Sequence, residues 1–210
     1  PSPENIKIYI DELVEEKLYE KALSELGRIE GDETRNNDKK WLMRKKIEIM
    51  EKMKKYDEIT SYTGSLLGED AENKEKDNET DFYLRMSRAK ADYYAGKKQE
   101  ALSQFIFLKN YYPDNPNIYY ELGSFYLREK IYSKGVSVFE YMLSKFDDLP
   151  MLENIYIQLA RYYYQTVGLN GYNLSFEYYQ KIVKLGRISK YYKEAVQMVE
   201  FLENNFTNIR

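Results

Sequence analysis

The chain has 210 residues, with 32 Lys and Arg against 35 Asp and Glu, and its formal net charge at pH 7 is -3. This balance gives no overall attraction to nucleic acid or anionic lipid, so neither is predicted as a partner. The chain contains no Cys and no His, which excludes disulfides, thiol nucleophiles, thiolate metal sites and the commonest general base. We therefore predict no metal site and no cofactor.

Apolar runs in the chain are short and interrupted by charged residues, so the sequence predicts no membrane span. The chain begins with Pro1 rather than Met, which leaves room for a signal peptide or lipid anchor ahead of it.

Four amphipathic helical segments are predicted in the first third of the chain. IKIYIDELVEE (6–16) and LYEKALSEL (18–26) have apolar residues at helical spacing and form a first helix pair, assigned to residues 3–36. The polar stretch GDETRNNDKK (31–40) leads into a second pair over residues 40–68. Both pairs are predicted to be helix–turn–helix units.

An acidic segment, GEDAENKEKDNETD (68–81), follows the second pair and carries seven acids against Lys74 and Lys76. Such a composition cannot bury enough apolar surface to offset the entropy lost on ordering, so it predicts a mobile loop. A solvated spacer is the preferred interpretation, and an acidic docking arm for a basic partner is the alternative. The acids lack the spacing of an EF-hand, so calcium is not predicted.

The third and fourth pairs, residues 82–115 and 116–149, repeat with a period of 34. Small and aromatic residues recur at this interval, Ala101 with Gly135 and Phe105 with Phe139 (135 − 101 = 34; 139 − 105 = 34). The first helix of the fourth pair has one apolar face, formed by Tyr119, Leu122, Gly123 and Tyr126. Neither helix of such a pair can bury its apolar face without a neighbouring pair, so the unit is expected to be repeated.

The fifth pair covers residues 150–187. Its first helix contains Leu159, Ala160 and Tyr163, and a lengthened loop around VGLNG (167–171) precedes the second helix. The last segment, 188–205, is a single helix without a partner, as expected of a cap. The sequence thus predicts an all-α fold, an α-solenoid of about five helix–turn–helix repeats with a C-terminal capping helix, in one domain over residues 1–210.

This pattern of helix pairs, with a small residue where the helices cross and Pro113 closing the third unit, resembles the tetratricopeptide repeat (TPR) family. The second unit departs from the family pattern, because Ile59 and Thr63 replace its small and aromatic residues. The resemblance implies that the first helix of each pair lines a concave groove that binds proteins or peptides.

The family register implies which residues face this groove. The candidate partner-binding residues are Tyr83, Lys90, Tyr93, Tyr120, Leu127, Arg128, Asn154, Arg161 and Tyr164. The same register places Met86, Ser124 and Ile157 on the groove, and in the first two units Lys7, Asp11, Trp41, Arg44 and Glu48. Tyrosine offers rigid contact area and Arg can bind a carboxylate, which suits a peptide with hydrophobic and acidic residues.

Many of the 23 tyrosines are interpreted as seam fillers between helices, Tyr119, Tyr126 and Tyr163 above all. The carboxylate clamp by which some TPR proteins bind chaperone tails requires Lys and Asn at set positions. The matching positions hold Met86, Lys90, Tyr120 and Ser124. A co-chaperone role is therefore not predicted.

The predicted function is a non-catalytic adaptor or scaffold for one or more proteins or peptides. The alternative is an enzyme or enzyme subunit that uses paired carboxylates, for example on cell-wall glycans, and a third interpretation is self-assembly through the final helix.

The segment FLKNYYPDNP (107–116) resembles units of bacterial envelope TPR proteins, namely the repeat lipoprotein of outer-membrane barrel assembly and the periplasmic partner of the Tol–Pal system. It favours a periplasmic or envelope location over the cytoplasm.

Overall fold

A computed structural model of the chain describes residues 3–30, 39–68, 78–166 and 168–206. The helices in these ranges are α1 (Pro3–Glu15), α2 (Tyr19–Glu30), α3 (Lys39–Lys52), α4 (Tyr56–Leu67), α5 (Asn78–Tyr94), α6 (Lys98–Tyr111), α7 (Pro116–Arg128), α8 (Tyr132–Lys145), α9 (Leu152–Gln165), α10 (Leu169–Leu185) and α11 (Tyr192–Asn205). Five helix pairs followed by a single helix confirm the predicted all-α repeat fold. Within the described ranges, no helix has the length and apolar character needed to cross a membrane.

The chain divides into two compact units, Pro1–Tyr111 and Tyr112–Arg210. Unit 1 contains α1–α6 and unit 2 contains α7–α11. In each unit, the second helix of a pair also packs against the first helix of the next pair, α2 with α3, α4 with α5, α8 with α9, and α10 with α11. The single domain over residues 1–210 stays a prediction.

Four of the helix pairs share one kind of turn, in which a residue after the first helix has a positive φ. These residues are Lys17, Lys54, Gly96 and Lys130, with φ of 62, 58, 85 and 60°. In the α1–α2 turn, the N–H of Leu18 donates to the carbonyl of Leu13 (2.8 Å), and that of Lys17 donates to Val14 (3.1 Å). This pair of bonds caps the helix C-terminus. The left-handed conformation costs a non-glycine residue about 1–2 kcal/mol, so the cap compensates for local strain.

The core of unit 1 is built from aliphatic and aromatic side chains with almost no solvent contact, including Ile10, Leu26, Ile47, Ile59, Phe105 and Leu108. The degenerate second pair joins this core because Thr63, although polar, is fully buried and donates its hydroxyl to the carbonyl of Ile59 at 2.7 Å. Satisfying that hydroxyl removes most of the cost of burying it.

The core of unit 2 begins where α7 crosses α8. Gly123 lies against the ring of Phe139, and Gly135 lies against Leu127, so closely that a Cβ on either glycine would overlap its neighbour. In the next pair Ser175 takes the small-residue position and donates its hydroxyl to the carbonyl of Ala160 at 2.9 Å. Small residues therefore set the distance between paired helices in both cases.

Two of the loops predicted from the sequence include residues that are helical in the structure. Residues 69–77 of the acidic segment lie outside the described residues, but Asn78–Asp81 form the first turn of α5. Glu79 and Asp81 favour this turn because acids stabilise a helix N-terminus, and Asp81 also accepts a bond from Arg85 at 2.7 Å.

The loop predicted around 167–171 is also shorter in the structure, because α10 begins at Leu169. Gly171 allows this early start, since it lies where the first turn of α10 approaches the carbonyl groups at the end of α9. Of the polar stretch 31–40, residues 31–38 lie outside the described residues.

Candidate partner-binding site

In unit 1, residues predicted to face the groove join neighbouring odd-numbered helices to each other. The ammonium of Lys7 on α1 lies 5.1 Å from the centre of the Trp41 ring on α3. Lys45 on α3 pairs with Asp11 on α1 at 2.9 Å and with Glu48 at 2.7 Å. These contacts join α1 to α3 through charged and aromatic side chains.

Tyr83 lies in the next such contact, between α3 and α5. The guanidinium of Arg44 lies 5.0 Å from the Tyr83 ring centre, and the same group donates to Glu79 at 2.7 Å. Tyr83 is half-buried; desolvation raises its pKa, the Glu51 carboxylate adds to this, and Ser87 and Arg44 oppose it. Tyr83 therefore remains a neutral phenol held under a cation.

Lys90 and Tyr93 lie further along α5 and are both half-buried. Lys90 lines a cavity together with Glu51 of α3. The Tyr93 ring meets the Tyr94 ring edge-on, with 5.3 Å between centroids. Tyr83 and Lys90 thus lie on the side of α5 that faces α3.

On α7 of unit 2, the three predicted residues have different surroundings. Tyr120 is half-buried and its ring stacks on Phe139 with 6.1 Å between centroids. Leu127 packs at the crossing with α8, where its Cδ2 atom would lie 2.6 Å from a Cβ at Gly135. Arg128 is exposed, and its guanidinium lies 3.9 Å from the carboxylate of Glu121. Leu127 is therefore a packing residue, and Arg128 presents its side chain at the surface.

On α9, the side chains of Asn154 and Arg161 are bound by the final helix and the residue before it. Arg161 donates two parallel bonds to Glu194, from Nε at 2.9 Å and from Nη2 at 2.6 Å. The Tyr191 hydroxyl donates to Oδ1 of Asn154 at 3.0 Å. Two residues predicted to bind a partner thus hold the C-terminal segment in place.

The Arg161–Glu194 bridge shifts both titrations in the direction expected of an ion pair. The hydrogen bond from Arg161 lowers the pKa of Glu194, with burial opposing it, and the bond to Glu194 raises the pKa of Arg161. Because the pKa of Glu194 is lower in the folded state, the unfolded state binds more protons between the two values. The stability from the bridge is therefore complete above the ordinary glutamate pKa and is lost as the pH falls through the lowered one.

We expect Glu194→Gln to lower the free energy of unfolding by about 1 kcal/mol at pH 7, since both side chains are about half-exposed and solvent screens the pair. Below the lowered pKa of Glu194 the variant and the wild type should have the same stability, because protonated Glu and Gln then carry no charge. Urea unfolding at a series of pH values from pH 7 downward measures this convergence. Glu200→Gln, at an exposed site on the same helix, is the control and should change nothing at any of these pH values. A difference that did not shrink as the pH fell would show that the bridge is not its source.

Tyr164, the last predicted residue, is 36% exposed at the end of α9. Its ring contacts Tyr172 (6.0 Å between centroids) and Phe201 (6.4 Å). Tyr172 in turn stacks on Phe206 at 4.1 Å. Tyr164 is thus the exposed edge of an aromatic cluster at the C-terminal end of unit 2.

Three other residues that the register places on the groove are buried, so that part of the prediction is wrong. Met86, Ser124 and Ile157 are only 9%, 7% and 1% exposed. The register assigns residues to the faces of one helix pair at a time. It therefore does not show whether side chains of the adjacent helices cover these positions. The seam-filling interpretation holds for Tyr119 and Tyr126, which are 6% and 8% exposed.

Two cavities of about 330 Å³ lie in unit 1. One is lined by Glu30, Lys39, Lys40, Leu42, Met43, Tyr62, Leu66 and Thr80. The other is lined by Glu51, Tyr56, Ile59, Lys90, Ala91 and Tyr94. Each contains one carboxylate, and the Glu30 carboxylate is already bound by Lys46 at 2.8 Å. Within the described ranges, no group of three or more acidic side chains is placed to hold a metal ion.

Tyr191 and Glu194, which bind Asn154 and Arg161, are not among the residues predicted from the sequence. A signal was present, because Ala195 follows Ala160 by 35 residues (195 − 160 = 35), close to the period of the repeat. Continuing the register into the last segment would have placed α11 as a further first helix and Glu194 beside Arg161.

Comparison with known proteins supports the fold and identifies no specific function or partner. No protein-family model and no curated protein matches the sequence. The structure is similar to that of a tetratricopeptide repeat protein from Parabacteroides merdae, with a TM-score of 0.62 and 15% identity over 99% of this chain and 75% of that one. It is also similar to a candidate protein-binding protein from Bacteroides ovatus, with 16% identity over 97% and 98% of the chains, but a TM-score of 0.36 supports no argument. The fold is therefore TPR-like.

Proposed function

We propose that the protein is a non-catalytic adaptor that binds a partner protein or peptide along its odd-numbered helices. The observation that carries this proposal is the kind of side chain these helices present. In unit 2, Arg128, Arg161 and Tyr164 are exposed and Tyr120 is half-buried, and in unit 1 Tyr83 and Tyr93 are half-buried. Tyr and Arg are enriched at protein-binding hot spots because each combines a large contact area with polar groups. The TPR-like fold is the frame on which these residues recur.

The carboxylates argue against the alternative of a glycan-acting enzyme. The two acids below 9% exposure among the described residues are Asp81 and Asp92, both on α5. They are eleven residues apart (92 − 81 = 11), or about 16 Å along the helix, which exceeds the separation of catalytic carboxyl pairs. Asp92 also accepts bonds from Thr60 (2.9 Å) and Gln104 (2.5 Å), so its role is to join α4, α5 and α6.

The partner we propose carries hydrophobic and acidic residues. Tyr93 on α5 and Tyr164 on α9 offer aromatic contact, and Arg128 offers positive charge at the surface of α7. Arg161 is excluded from this part of the proposal because Glu194 already neutralises it.

Replacing Tyr93, Arg128 and Tyr164 together by Ala is expected to reduce capture of the natural partner by at least about a hundredfold, the sum of three moderate hot-spot losses. The assay is affinity capture from the native cell with quantitative mass spectrometry, followed by titration of the purified partner.

The matched control replaces two exposed tyrosines and one cation on even-numbered helices, Tyr111, Lys134 and Tyr141. Circular dichroism must show the same helical content for both triple variants. Equal capture by wild type and the first variant, or equal loss in both variants, would exclude binding along the odd-numbered helices.

We also propose an envelope location, on the resemblance of residues 107–116 to bacterial envelope repeat proteins. Fractionation of the native cell with an antibody against this chain tests it. Recovery in the cytoplasmic fraction would reject the location and leave the adaptor proposal unaffected.

A further inference from the structure

A cavity of unit 1 lies between α3, α4 and α5, and every residue that lines it is within the described ranges. Its volume is about 330 Å³, and Ile59 and Ala91, both nearly inaccessible to solvent, form its apolar floor. A dry cavity of about 150 Å³ is enough to bind benzene. This one can therefore accept a large side chain together with part of the backbone that carries it.

One wall of the cavity is a stacked pair of tyrosines. The rings of Tyr56 and Tyr94 are 5.2 Å apart at an interplanar angle of 25°. Tyr93 contacts Tyr94 edge-on and fixes its orientation, yet Tyr94 remains 50% exposed. Such a wall gives aromatic contact area that loses little conformational entropy when a ligand binds.

The rim of the cavity has one charge of each sign, the Glu51 carboxylate on α3 and the Lys90 ammonium on α5. Both groups take part in intramolecular interactions. A carboxylate nevertheless has about four acceptor sites and an ammonium has three N–H donors, so each can bind a further group. A rim with no net charge matches the neutral, dipolar backbone of a peptide, whose N–H can donate to Glu51 and whose carbonyl can accept from Lys90.

We propose that this cavity is the anchor site for one aromatic or large aliphatic side chain of an extended partner peptide. The side chain would contact Tyr56 and Tyr94 above the floor of Ile59 and Ala91, and the rim would bind the adjoining peptide groups. This rests on the proposed function and adds where the partner is anchored and by which class of residue.

Capped amino acids are the direct probes, because each is one side chain between two peptide groups. N-acetyl-tryptophanamide added to the ¹⁵N-labelled full chain should shift the amide signals of Tyr56, Lys90 and Tyr94 in a saturable manner. N-acetyl-alaninamide at the same concentration should not. Tyr94→Ser should remove the response, whereas Tyr111→Ser, at a tyrosine 66% exposed on α6, should leave it unchanged. No saturable shift, or equal shifts with Tyr94→Ser, would overturn the proposal.

The same variants separate this inference from the adaptor proposal. In partner capture, Tyr94→Ser should weaken binding by about tenfold or more, as expected of a central aromatic contact, and Tyr111→Ser should not. If the triple variant loses the partner while Tyr94→Ser keeps it, the adaptor function stands and the anchor site is wrong. If the probe binds here but no partner depends on the odd-numbered helices, the adaptor proposal fails and the peptide assignment fails with it.

Discussion

Gly123→Leu is expected to abolish the cooperative folding of unit 2. A Cβ at Gly123 would lie 2.5 and 2.7 Å from two ring atoms of Phe139, which has no exposed surface and stacks on Tyr120. A methyl group alone should force Phe139 to move, and a leucine would separate α7 from α8. Overpacking of this kind costs about 1–3 kcal/mol for small additions, so we expect a loss above about 3 kcal/mol for leucine.

Gly123→Ala measures the same contact on a smaller scale. Alanine gains about 1 kcal/mol of helix propensity over glycine, but the clash should exceed it and leave a net loss of about 1–2 kcal/mol. Gly27→Ala on α2 is the matched control, because no atom lies within 4 Å of the position of its Cβ, and it should gain up to about 1 kcal/mol. Phe139→Leu combined with Gly123→Ala should recover part of the loss. Urea unfolding followed by circular dichroism tests all three, and equal stability of the two alanine variants would reject a packing role for Gly123.

These variants also separate structure from recognition on one helix. Tyr120 and Arg128 share α7 with Gly123, but Arg128 is exposed and contributes little to the core. Arg128→Ala should therefore leave the unfolding curve unchanged, whereas Gly123→Ala should shift it. A loss of partner binding in Gly123→Ala would be an indirect result of misplaced helices.

The fold could be predicted from the sequence because its period is carried by residues that packing tightly constrains. Gly123, Gly135 and Phe139 stand where helices touch, and a Cβ at either glycine would overlap a neighbour. The positive φ of the turn residues was harder to predict from the sequence. Gly96 aligns with Lys130 (130 − 96 = 34), and only at Gly96 does the residue type indicate the conformation. At Lys17, Lys54 and Lys130 the two capping hydrogen bonds impose it.

The candidate site was harder to predict for a physical reason. A repeat register tells which face of one helix a residue occupies, but exposure depends on the side chains of the next helix. Ile157 lies on the expected face and is buried all the same, and Arg161 lies there and is neutralised by Glu194. Tyr94 lies one position beyond the register residue Tyr93 and still lines the cavity. Contacts between repeats therefore decide which of the residues on a face remain available to a partner.

Gly171→Ala is the second substitution expected to have a large effect. Its Cβ would lie 2.4 Å from the carbonyl oxygen of Thr166 and 2.8 Å from that of Tyr163. Both atoms belong to the backbone at the end of α9, so neither can move without opening the last turn of that helix. We expect a loss of about 2–4 kcal/mol, which exceeds the loss for Gly123→Ala because a ring can rotate and a carbonyl cannot.

The reason for this glycine lies in the turn between α9 and α10. The other four pairs place a residue with positive φ two positions after the end of the first helix, whereas here Thr166 is extended and Gly168 has φ 126°. Asn170→Ala, at the exposed neighbouring position, is the control and should stay within about 0.5 kcal/mol of the wild type. Hydrogen exchange should show faster opening of the end of α9 in Gly171→Ala and not in the control. Exchange and stability equal to those of the wild type would mean that the turn can relax around a methyl group, and the short connection would then not depend on glycine.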